Sequence, residues 1–442
     1  MMTLHNADMM TLYNEETLNF VSLHREDDVA RLALAADRYP AVDMPWALAQ
    51  ISGWQTARRK LPTWAATDGI CYPPHLNMEQ CSSEQTARYK ASLAERLAGT
   101  DNPEPSCLVD LTGGFGVDFS WMARGFAQAV YVERNETLCY LARHNFQTLG
   151  LSHAEVVAGD GTSYLQTLPL LHGDEASATH TPTLIYLDPA RRDANGHKVF
   201  GMEDCTPDVV GLCDALLLRA DVVMVKVSPM LDWHEAVRRL KNVSEVHIVS
   251  VANECKELLL VMTHCRQPLR VVCVNDGQVF AFTPADALLQ TSLAIPSCAS
   301  LSVTSSVPSS ASNAQYLLVP NSSVMKAGCF RHLEAVYGLP QLGADAHLFV
   351  SPRPVTGFPG RQFRIVRTTS MNKRELRKAF DGIAQANIAV RHFPLTAEAL
   401  RRRLKLKDGG DIYVFATTLG KDHCLLITEK VNETVAKASS NG

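Results

Sequence analysis

Residues 107–120 read CLVDLTGGFGVDFS, an apolar run that ends at Asp110 and passes directly into a glycine-rich turn. A buried strand followed by such a turn and a helix is a common ligand site in α/β proteins, because the start of the helix offers free N–H groups. Glycines at 113, 114 and 116 let the backbone pass close to a ligand. The stretch therefore predicts a nucleotide-type ligand at the end of a first buried strand.

The residues around the turn discriminate between ligand classes. A P-loop requires a lysine after its glycines, but Gly116 is followed by Val117 and Asp118. A dinucleotide fold requires a third glycine, and that position holds Phe119. Asp110 and Asp118 flank the turn with negative charge, which repels a pyrophosphate but suits the sulfonium and ammonium groups of S-adenosylmethionine. We therefore predict S-adenosylmethionine as the cofactor.

Apolar runs continue at regular intervals as AVYVE, AEVVAGD, TLIYLD, DVVMVKV and EVHIVSV, separated by amphipathic segments. This alternation predicts a doubly wound, Rossmann-like parallel sheet covered by helices on both faces. ELLLVMT follows after too short a gap for a crossover helix, so we expect it to pair antiparallel with EVHIVSV at the sheet edge.

Acids stand at the ends of successive strands, where α/β sheets bind ligands. Glu133 is placed to accept the ribose hydroxyls and Asp160 to accept an adenine amino proton, while Asp188 ends the fourth strand. A single strand-end Asp is more often a helix cap, but a series of four after a glycine turn favours a site. The predicted cofactor-binding residues are Asp110, Thr112, Gly113, Gly114, Gly116, Asp118, Glu133 and Asp160.

The remaining chain suggests three further domains beside the α/β domain, which we place at 101–265. Residues 1–100 are predicted helical, with Ser82 or Ser83 as the cap and Gly99 as the stop of a last helix. Residues 266–355 are predicted β-rich, with a hairpin at the Asn-Asp-Gly turn and a serine-rich loop at 297–314. Residues 356–434 alternate strand and helix.

Composition restricts the class of protein. Apolar residues make up 46% of the chain and charged residues 20%, typical of a folded globular protein. No signal peptide or membrane span is recognisable, and the cysteines are scattered singly without metal-ligand spacing. We therefore expect a cytoplasmic protein without a metal or a membrane partner.

Charge is distributed unevenly. Residues 361–407 contain 13 Lys or Arg and three acids, a net charge of +10, so the rest of the chain carries −14. Basic residues interleaved with aromatic ones are typical of surfaces that follow a phosphate backbone, although charge runs are also common on solvated faces. We predict that this segment docks RNA, with substrate contacts from Arg401, Arg402 and Arg403.

The motifs DLTGGFGVD, VYVERN, AGD and YLDPARR resemble those of class I S-adenosylmethionine-dependent methyltransferases over about residues 105–265. The whole chain is similar to a bacterial family with an N-terminal helical domain, a ferredoxin-like domain and a C-terminal THUMP-like domain. The resemblance implies catalytic roles for Asp188 and Pro189. Arg191, which we also place in the catalytic group, or Arg192 is expected to hold a phosphate or to stack on a base. Amino-methylating members carry an aromatic ring after the Asp-Pro pair, and this chain has none there.

The acceptor pocket is predicted from the last strands of the α/β domain. We expect it to be shaped by Lys226, Ser228, Asn253, Glu254 and Lys256, although Asn253 and Glu254 could simply build a turn. The leading hypothesis is methylation of tRNA or rRNA at a base nitrogen. The alternative is a catalytically retired methyltransferase scaffold that binds RNA or protein, and a weaker third is an enzyme acting on a small molecule or protein.

Overall fold

The computed structural model describes residues 14–99, 106–171, 181, 183–190, 202, 205–284, 315–343 and 345–431. They divide into two compact units. The first contains the described residues up to 246 together with 257–268, and the second contains 247–256 and the described residues from 269 onward. The serine-rich stretch 297–314 lies outside the described residues.

Helices dominate the start of the first unit, as predicted. Those before the sheet are α1 (Glu15–His24), α2 (Val29–Leu34), α3 (Met44–Lys60), α4 (Pro62–Ala65), α5 (His75–Gln80) and α6 (Glu84–Ala98). The Ser83 side chain caps α6 by accepting from Thr86 N at 3.3 Å, and Gly99 ends it in the left-handed conformation. Both predicted helix signals are confirmed.

A sheet follows, with helices between its strands. The strands are β1 (Cys107–Asp110), β2 (Gln128–Glu133), β3 (Ala154–Ala158), β4 (Thr183–Leu187), β5 (Val222–Val227), β6 (Val243–Val251) and β7 (Glu254–Thr263). The helices are α7 (Val117–Met122), α8 (Glu136–Thr148), α9 (Gly161–Thr167), α10 (Val209–Leu217) and α11 (Trp233–Arg239). Strands β1 to β5 pair in parallel in the order β3-β2-β1-β4-β5.

The end of the sheet departs from the prediction in one respect. Strand β7 pairs antiparallel with β5 and lies between β5 and β6. The expected pairing of the last two strands is present, but β7 is internal, not at the edge. Its buried run from Leu258 to Met262 explains why, since an internal strand is covered on both faces.

The tip of the β6–β7 hairpin, residues 247–256, belongs to the second unit. That unit also contains the hairpin of β8 (Arg270–Asn275) and β9 (Gln278–Phe282), which turns at Asp276 and Gly277 as predicted. The remaining strands are β10 (Tyr316–Pro320), β11 (Phe349–Ser351), β12 (Gly360–Ser370), β13 (Asn387–Arg391), β14 (Ile412–Leu419) and β15 (Asp422–Lys430). They form a six-stranded sheet in the order β11-β10-β12-β15-β14-β13.

The described residues of the second unit also form the helices α12 (Ser322–Ala327), α13 (Phe330–Tyr337), α14 (Lys373–Ala379) and α15 (Ala397–Leu404). Side chains alternate across the sheet, so that Phe415 packs in one apolar cluster while Val414 packs in another with Ala379 of α14 and Leu400 of α15. The two basic helices therefore pack on one face of the sheet by their apolar sides.

The described residues lack two features. None of their helices combines the length and the apolar composition that crossing a membrane requires. Within the same ranges, no three His, Cys, Asp or Glu side chains are arranged to hold a metal ion.

Candidate active site

The glycine turn after β1 is shaped by close packing. Gly113 N–H donates to Val132 O at 2.9 Å, and a Cβ added to Gly113 would lie 2.2 Å from the ring of Tyr131. Gly114 and Gly116 have φ values of +59° and +80°, in the left-handed region that favours glycine. The turn therefore requires these three glycines for steric and conformational reasons.

Tyr131 supports the turn from β2. Its hydroxyl donates to Gly114 O, and its ring packs edge-on against Phe119 and Phe146. Burial raises the pKa of Tyr131, with a further contribution from Glu133, so the phenol stays a neutral donor. This support was missed at the sequence level, although a tyrosine within a strand leading to an acid was a visible signal.

Glu133 ends β2 beside the turn. Its Oε2 accepts from Gly114 N at 2.8 Å and its Oε1 from Asn135 N at 2.8 Å, so the carboxylate is fixed against the glycine loop. Asp160 follows β3 and caps α9 by accepting from Ser163 N at 2.9 Å. The common capping role thus applies to Asp160, whose side chain is exposed.

Asp110 and Thr112 connect the turn to the end of β4. Asp110 is 1% exposed, and its Oδ1 accepts from Thr112 N at 2.9 Å, while Thr112 Oγ1 accepts from Asp188 N at 2.6 Å. Burial, together with the carboxylates of Asp118, Asp188 and Glu133, raises the pKa of Asp110 to about 8. The structure thus brings most of the predicted strand-end acids together in one negative environment.

Asp188 is paired with a lysine from the neighbouring strand. Lys226 Nζ lies 2.5 Å from Asp188 Oδ2, and the two side chains are 13% and 40% exposed, respectively. Burial alone would lower the pKa of Lys226, but the carboxylates of Asp188, Asp118 and Glu257 outweigh it and raise that pKa. Lys226 is therefore a permanent ammonium at the predicted acceptor position.

Lys226 and Asp188 belong to a larger charged cluster, which consists of Lys90, Asp118, Asp188, Lys226 and Glu257. Lys90 has no exposed surface, and its Nζ lies 2.5 Å from Glu257 Oε1 and 3.2 Å from Asp118 Oδ1. Lys226 Nζ lies 3.6 Å from Asp118 Oδ2. Acids and ammonium groups thus alternate from the interior to the partly exposed carboxylate of Asp188.

Burial and pairing act in opposite directions on the two interior acids. Burial would raise the pKa of Asp118, but Lys90 and Lys226 hold it below its usual value. For Glu257 burial prevails and its pKa is raised. Asp118 Oδ2 also accepts from Ser82 Oγ at 2.8 Å and Tyr186 Oη at 2.9 Å. The predicted cofactor residue Asp118 thus has internal partners for its carboxylate.

The interior of the cluster was not predicted from the sequence. Lys90 lies on the same helical stripe as the buried residues Ala87, Ala91 and Ala94, and a lysine in an apolar stripe is a signal of a buried charge. Glu257 directly precedes the apolar run of β7. Neither signal says which charges meet, because the partners are 167 residues apart.

The other predicted acceptor residues have local partners. Ser228 follows β5, and its Oγ accepts from Met230 N at 3.2 Å. Pro189 is buried, and Arg191 lies outside the described residues. Ala190, next to Pro189, exchanges two backbone hydrogen bonds with Thr206 at 2.8 and 2.9 Å. The first unit therefore places Lys226 against Asp188.

Three predicted acceptor residues belong to the second unit. Asn253 has φ +61° in the two-residue turn between β6 and β7, and its Oδ1 accepts from Ser322 N at 2.9 Å. Lys256 pairs with Glu254 at 2.7 Å on the surface. Asn253 thus takes part in the turn, as the second interpretation considered from the sequence expects, and it also binds the start of α12, whereas a role of these three residues at an acceptor stays a prediction.

Exposed cations cover α14 and α15 of the second unit. Arg401 is partly buried and bonded to Asp408 at 2.5 Å. The other Lys and Arg side chains of these two helices are exposed, and no acidic partner is found for them in the described part of the chain. They are Lys373, Arg374, Arg377, Lys378, Arg402 and Arg403. We call these six residues the basic surface.

Comparison with known proteins identifies the second unit's domains and the whole architecture. Residues 316–359 match a ferredoxin-like domain family and residues 360–430 a THUMP domain-like family. A crystal structure described as a methyltransferase from Porphyromonas gingivalis W83 is 29% identical and covers 95% of this chain and 99% of its own, with a TM-score of 0.77.

Two curated relatives from Mycobacterium tuberculosis strains are described as uncharacterized S-adenosylmethionine-dependent methyltransferases. Each is 24% identical over 349 residues, which is 78% of this chain and 83% of the relative. The strand order with β7 antiparallel beside β5, the two domain matches and these relatives agree with the resemblance found in the sequence. The chain is therefore similar over most of its length to proteins described as methyltransferases, S-adenosylmethionine-dependent in the curated relatives, and it carries a ferredoxin-like domain and a C-terminal THUMP-like domain.

Proposed function

We propose that the protein is an S-adenosylmethionine-dependent methyltransferase that acts on RNA, either tRNA or rRNA. The observation that carries the proposal is the convergence of the glycine turn, the anchored Glu133 carboxylate and the Asp188–Lys226 pair at adjacent strand ends. Bound S-adenosylmethionine would supply an electrophilic methyl group on a sulfonium.

The cofactor side of the site fits a cationic ligand. Burial raises the pKa of Asp110 to about 8, with further contributions from the carboxylates of Asp118, Asp188 and Glu133, and a nearby positive charge would favour the ionised form. The residues that would hold the cofactor are Asp110, Thr112, Gly113, Gly114, Gly116, Glu133 and Asp160. Asp118 would act through the lysines of the charged cluster.

The acceptor side is centred on Asp188. Thr112 Oγ1 fixes its backbone N–H and Lys226 fixes its Oδ2, so its orientation is set before an acceptor arrives. The acceptor predicted from the sequence is a base nitrogen. Lys226 occupies one carboxylate oxygen of Asp188, which could otherwise accept an N–H of such an amine. The function proposed here is therefore methyl transfer to RNA, and it does not assign the acceptor atom.

RNA is proposed as the substrate because of the second unit. The basic surface presents six exposed cations within or beside a THUMP-like match, a pattern suited to a phosphate backbone. THUMP-like modules recognise RNA in other modification enzymes, according to the family resemblance. Charge and domain type therefore point to the same class of substrate.

The test is transfer of labelled methyl from S-adenosylmethionine to total RNA from cells that lack this protein. We expect label with the intact chain, a loss of at least about a hundredfold with Asp188→Asn, and no loss with Asp214→Asn. Asp214 is a matched control because it pairs with Lys241 on the surface of the same unit.

Absence of label would separate the alternatives. Calorimetric binding of S-adenosylmethionine without any transfer to RNA, protein or small molecules would support the retired scaffold. Transfer to protein or to small molecules, but not to RNA, would refute RNA as the substrate and leave methyl transfer in place.

A further inference from the structure

We infer that the acceptor beside Asp188 is a hydroxyl oxygen, the 2′-hydroxyl of an RNA ribose, and not a base nitrogen. The inference rests on the proposed function and names the acceptor of the same site. The observation that carries it is the ammonium of Lys226, 2.5 Å from Asp188 Oδ2 within the charged cluster.

The two kinds of acceptor need different help from a protein. A neutral amine already offers a lone pair, so it needs mainly an oxygen that accepts an N–H and fixes its direction. An aliphatic hydroxyl is a weak nucleophile and, like water, stays almost entirely protonated at neutral pH. It needs a group that takes its proton and a donor that stabilises negative charge on oxygen.

Asp188 is arranged for the second task. Its Oδ2 is held by a charge-assisted bond to Lys226, so a donor ammonium already lies beside the carboxylate that would take the hydroxyl proton. Its side chain is nevertheless 40% exposed, so the carboxylate is accessible and can accept a proton. The proton can afterwards leave to solvent by the same exposed face.

Lys226 supplies the donor that a hydroxyl requires. An ammonium has three N–H groups. One donates to Asp188 Oδ2, and Asp118 Oδ2 lies beyond hydrogen-bond distance at 3.6 Å, so within the described part of the chain a further N–H is left for an acceptor oxygen. Because its carboxylate neighbours raise its pKa, Lys226 stays charged and acts as a donor and not as a base.

Lys90 and Glu257, the buried members of the charged cluster, support the donor role of Lys226. Glu257 contributes to keeping Lys226 charged, and Lys90 neutralises Glu257 and Asp118 at 2.5 and 3.2 Å. A merely structural role does not require such charges, since well-packed apolar residues stabilise an interior equally well. A site that must stabilise charge on an oxygen gives these buried groups a purpose.

The position next to Pro189 agrees with a ribose acceptor. An amine on a base is commonly held by an aromatic ring at this place, and here Ala190 is bonded through its backbone to Thr206. A ribose hydroxyl needs no ring, because the sugar is reached from the backbone side. The 2′-hydroxyl is also the group that distinguishes RNA from DNA in recognition by proteins.

The 2′-oxygen forms a bond to the methyl carbon while the carbon–sulfur bond breaks and its electron pair stays on sulfur, leaving a neutral thioether. The hydroxyl proton passes to the Asp188 carboxylate as Lys226 stabilises the charge that develops on oxygen. No oxidant, metal or further reactant is required.

Product identity tests the inference directly. The full-length chain is incubated with tritium-labelled S-adenosylmethionine and total RNA from cells lacking the protein, and the RNA is hydrolysed with alkali. A 2′-O-methyl group blocks cleavage at its own phosphodiester, so we expect the label in alkali-resistant dinucleotides. Label in mononucleotides would overturn the hydroxyl acceptor but leave RNA methylation intact, whereas unlabelled RNA would overturn both.

Variants of Lys226 give a second test. We expect Lys226→Met to lower the turnover number by about 10²–10³, as the loss of one oxyanion donor does, with affinity for S-adenosylhomocysteine changed less than twofold by calorimetry. Lys241→Met, a surface lysine of the same unit, should leave both unchanged. Full turnover by a folded Lys226→Met protein would overturn the assigned role, and the alkali test stands even if that variant does not fold.

Discussion

Replacing Lys90 by methionine should lower the free energy of unfolding of the first unit, because it removes a cation from the charged cluster. Lys90 has no exposed surface and is the closest cation to Glu257, at 2.5 Å, and to Asp118, at 3.2 Å. Methionine fills similar space without charge and leaves both acids without this partner. Removing one partner of a buried pair costs about 3–5 kcal/mol, which corresponds to a fall of roughly 10 °C in the unfolding midpoint of a unit of this size.

The assay can report the first unit alone. All five tryptophans of the chain lie in that unit, so tryptophan fluorescence during urea or thermal unfolding follows it selectively: Trp46, Trp54, Trp64, Trp121 and Trp233. The double variant Lys90→Met with Glu257→Gln should be less destabilised than the sum of its single changes, because the acid left unpaired is then gone. Lys241→Met is the control and should leave the midpoint unchanged.

Either of two results would refute this reasoning. A Lys90→Met protein that unfolds within about 1 kcal/mol of the parent would show that the buried ammonium does not compensate the acids. Strict additivity of the two changes would show that Lys90 and Glu257 are not energetically coupled.

Three further predictions concern the turn, the cofactor and RNA. Gly113→Ala should weaken calorimetric binding of S-adenosylhomocysteine at least tenfold, because its Cβ would lie 2.2 Å from a ring atom, whereas Gly159→Ala has free space and should not. As the pH is raised towards about 8, the affinity for S-adenosylmethionine should increase by up to tenfold per pH unit, because the cationic ligand favours the ionised form of Asp110; above about pH 8 the affinity should level off. An affinity that does not change with pH would contradict this prediction. In the double variant Arg402→Ser with Arg403→Ser, the slope of the logarithm of the RNA-binding constant against the logarithm of the salt concentration should become shallower by about 1.4. An unchanged slope in a filter-binding assay would count against the basic surface.

The sheet was predictable because its strands are covered on both faces. Continuous apolar runs such as TLIYL leave little choice of structure, and the side chains from Leu184 to Leu187 are all at most 1% exposed. The acids were predictable for a related reason, since the carboxyl ends of parallel strands meet at one edge. The fold, family and cofactor class followed from these local patterns.

The functional pairing could not be predicted in the same way. Asp118 was placed at the cofactor because it follows the glycine turn, yet its carboxylate bonds Ser82 and Tyr186. Lys226 was expected only to shape the acceptor pocket, and its contact with Asp188 depends on the register of neighbouring strands. The division into four domains and the roles of the site residues remain predictions.

The pairing of Lys90 with Glu257 also has a consequence for synthesis of the chain. The two residues are 167 positions apart, and Glu257 lies on β7, which pairs between β5 and β6 but follows both of them in the sequence. When the glycine turn has left the ribosome but β7 has not, Lys90 can pair with Asp118 but not yet with Glu257. Contacts of such long range form late, so the ribosome must deliver almost the entire first unit before a competent enzyme can exist.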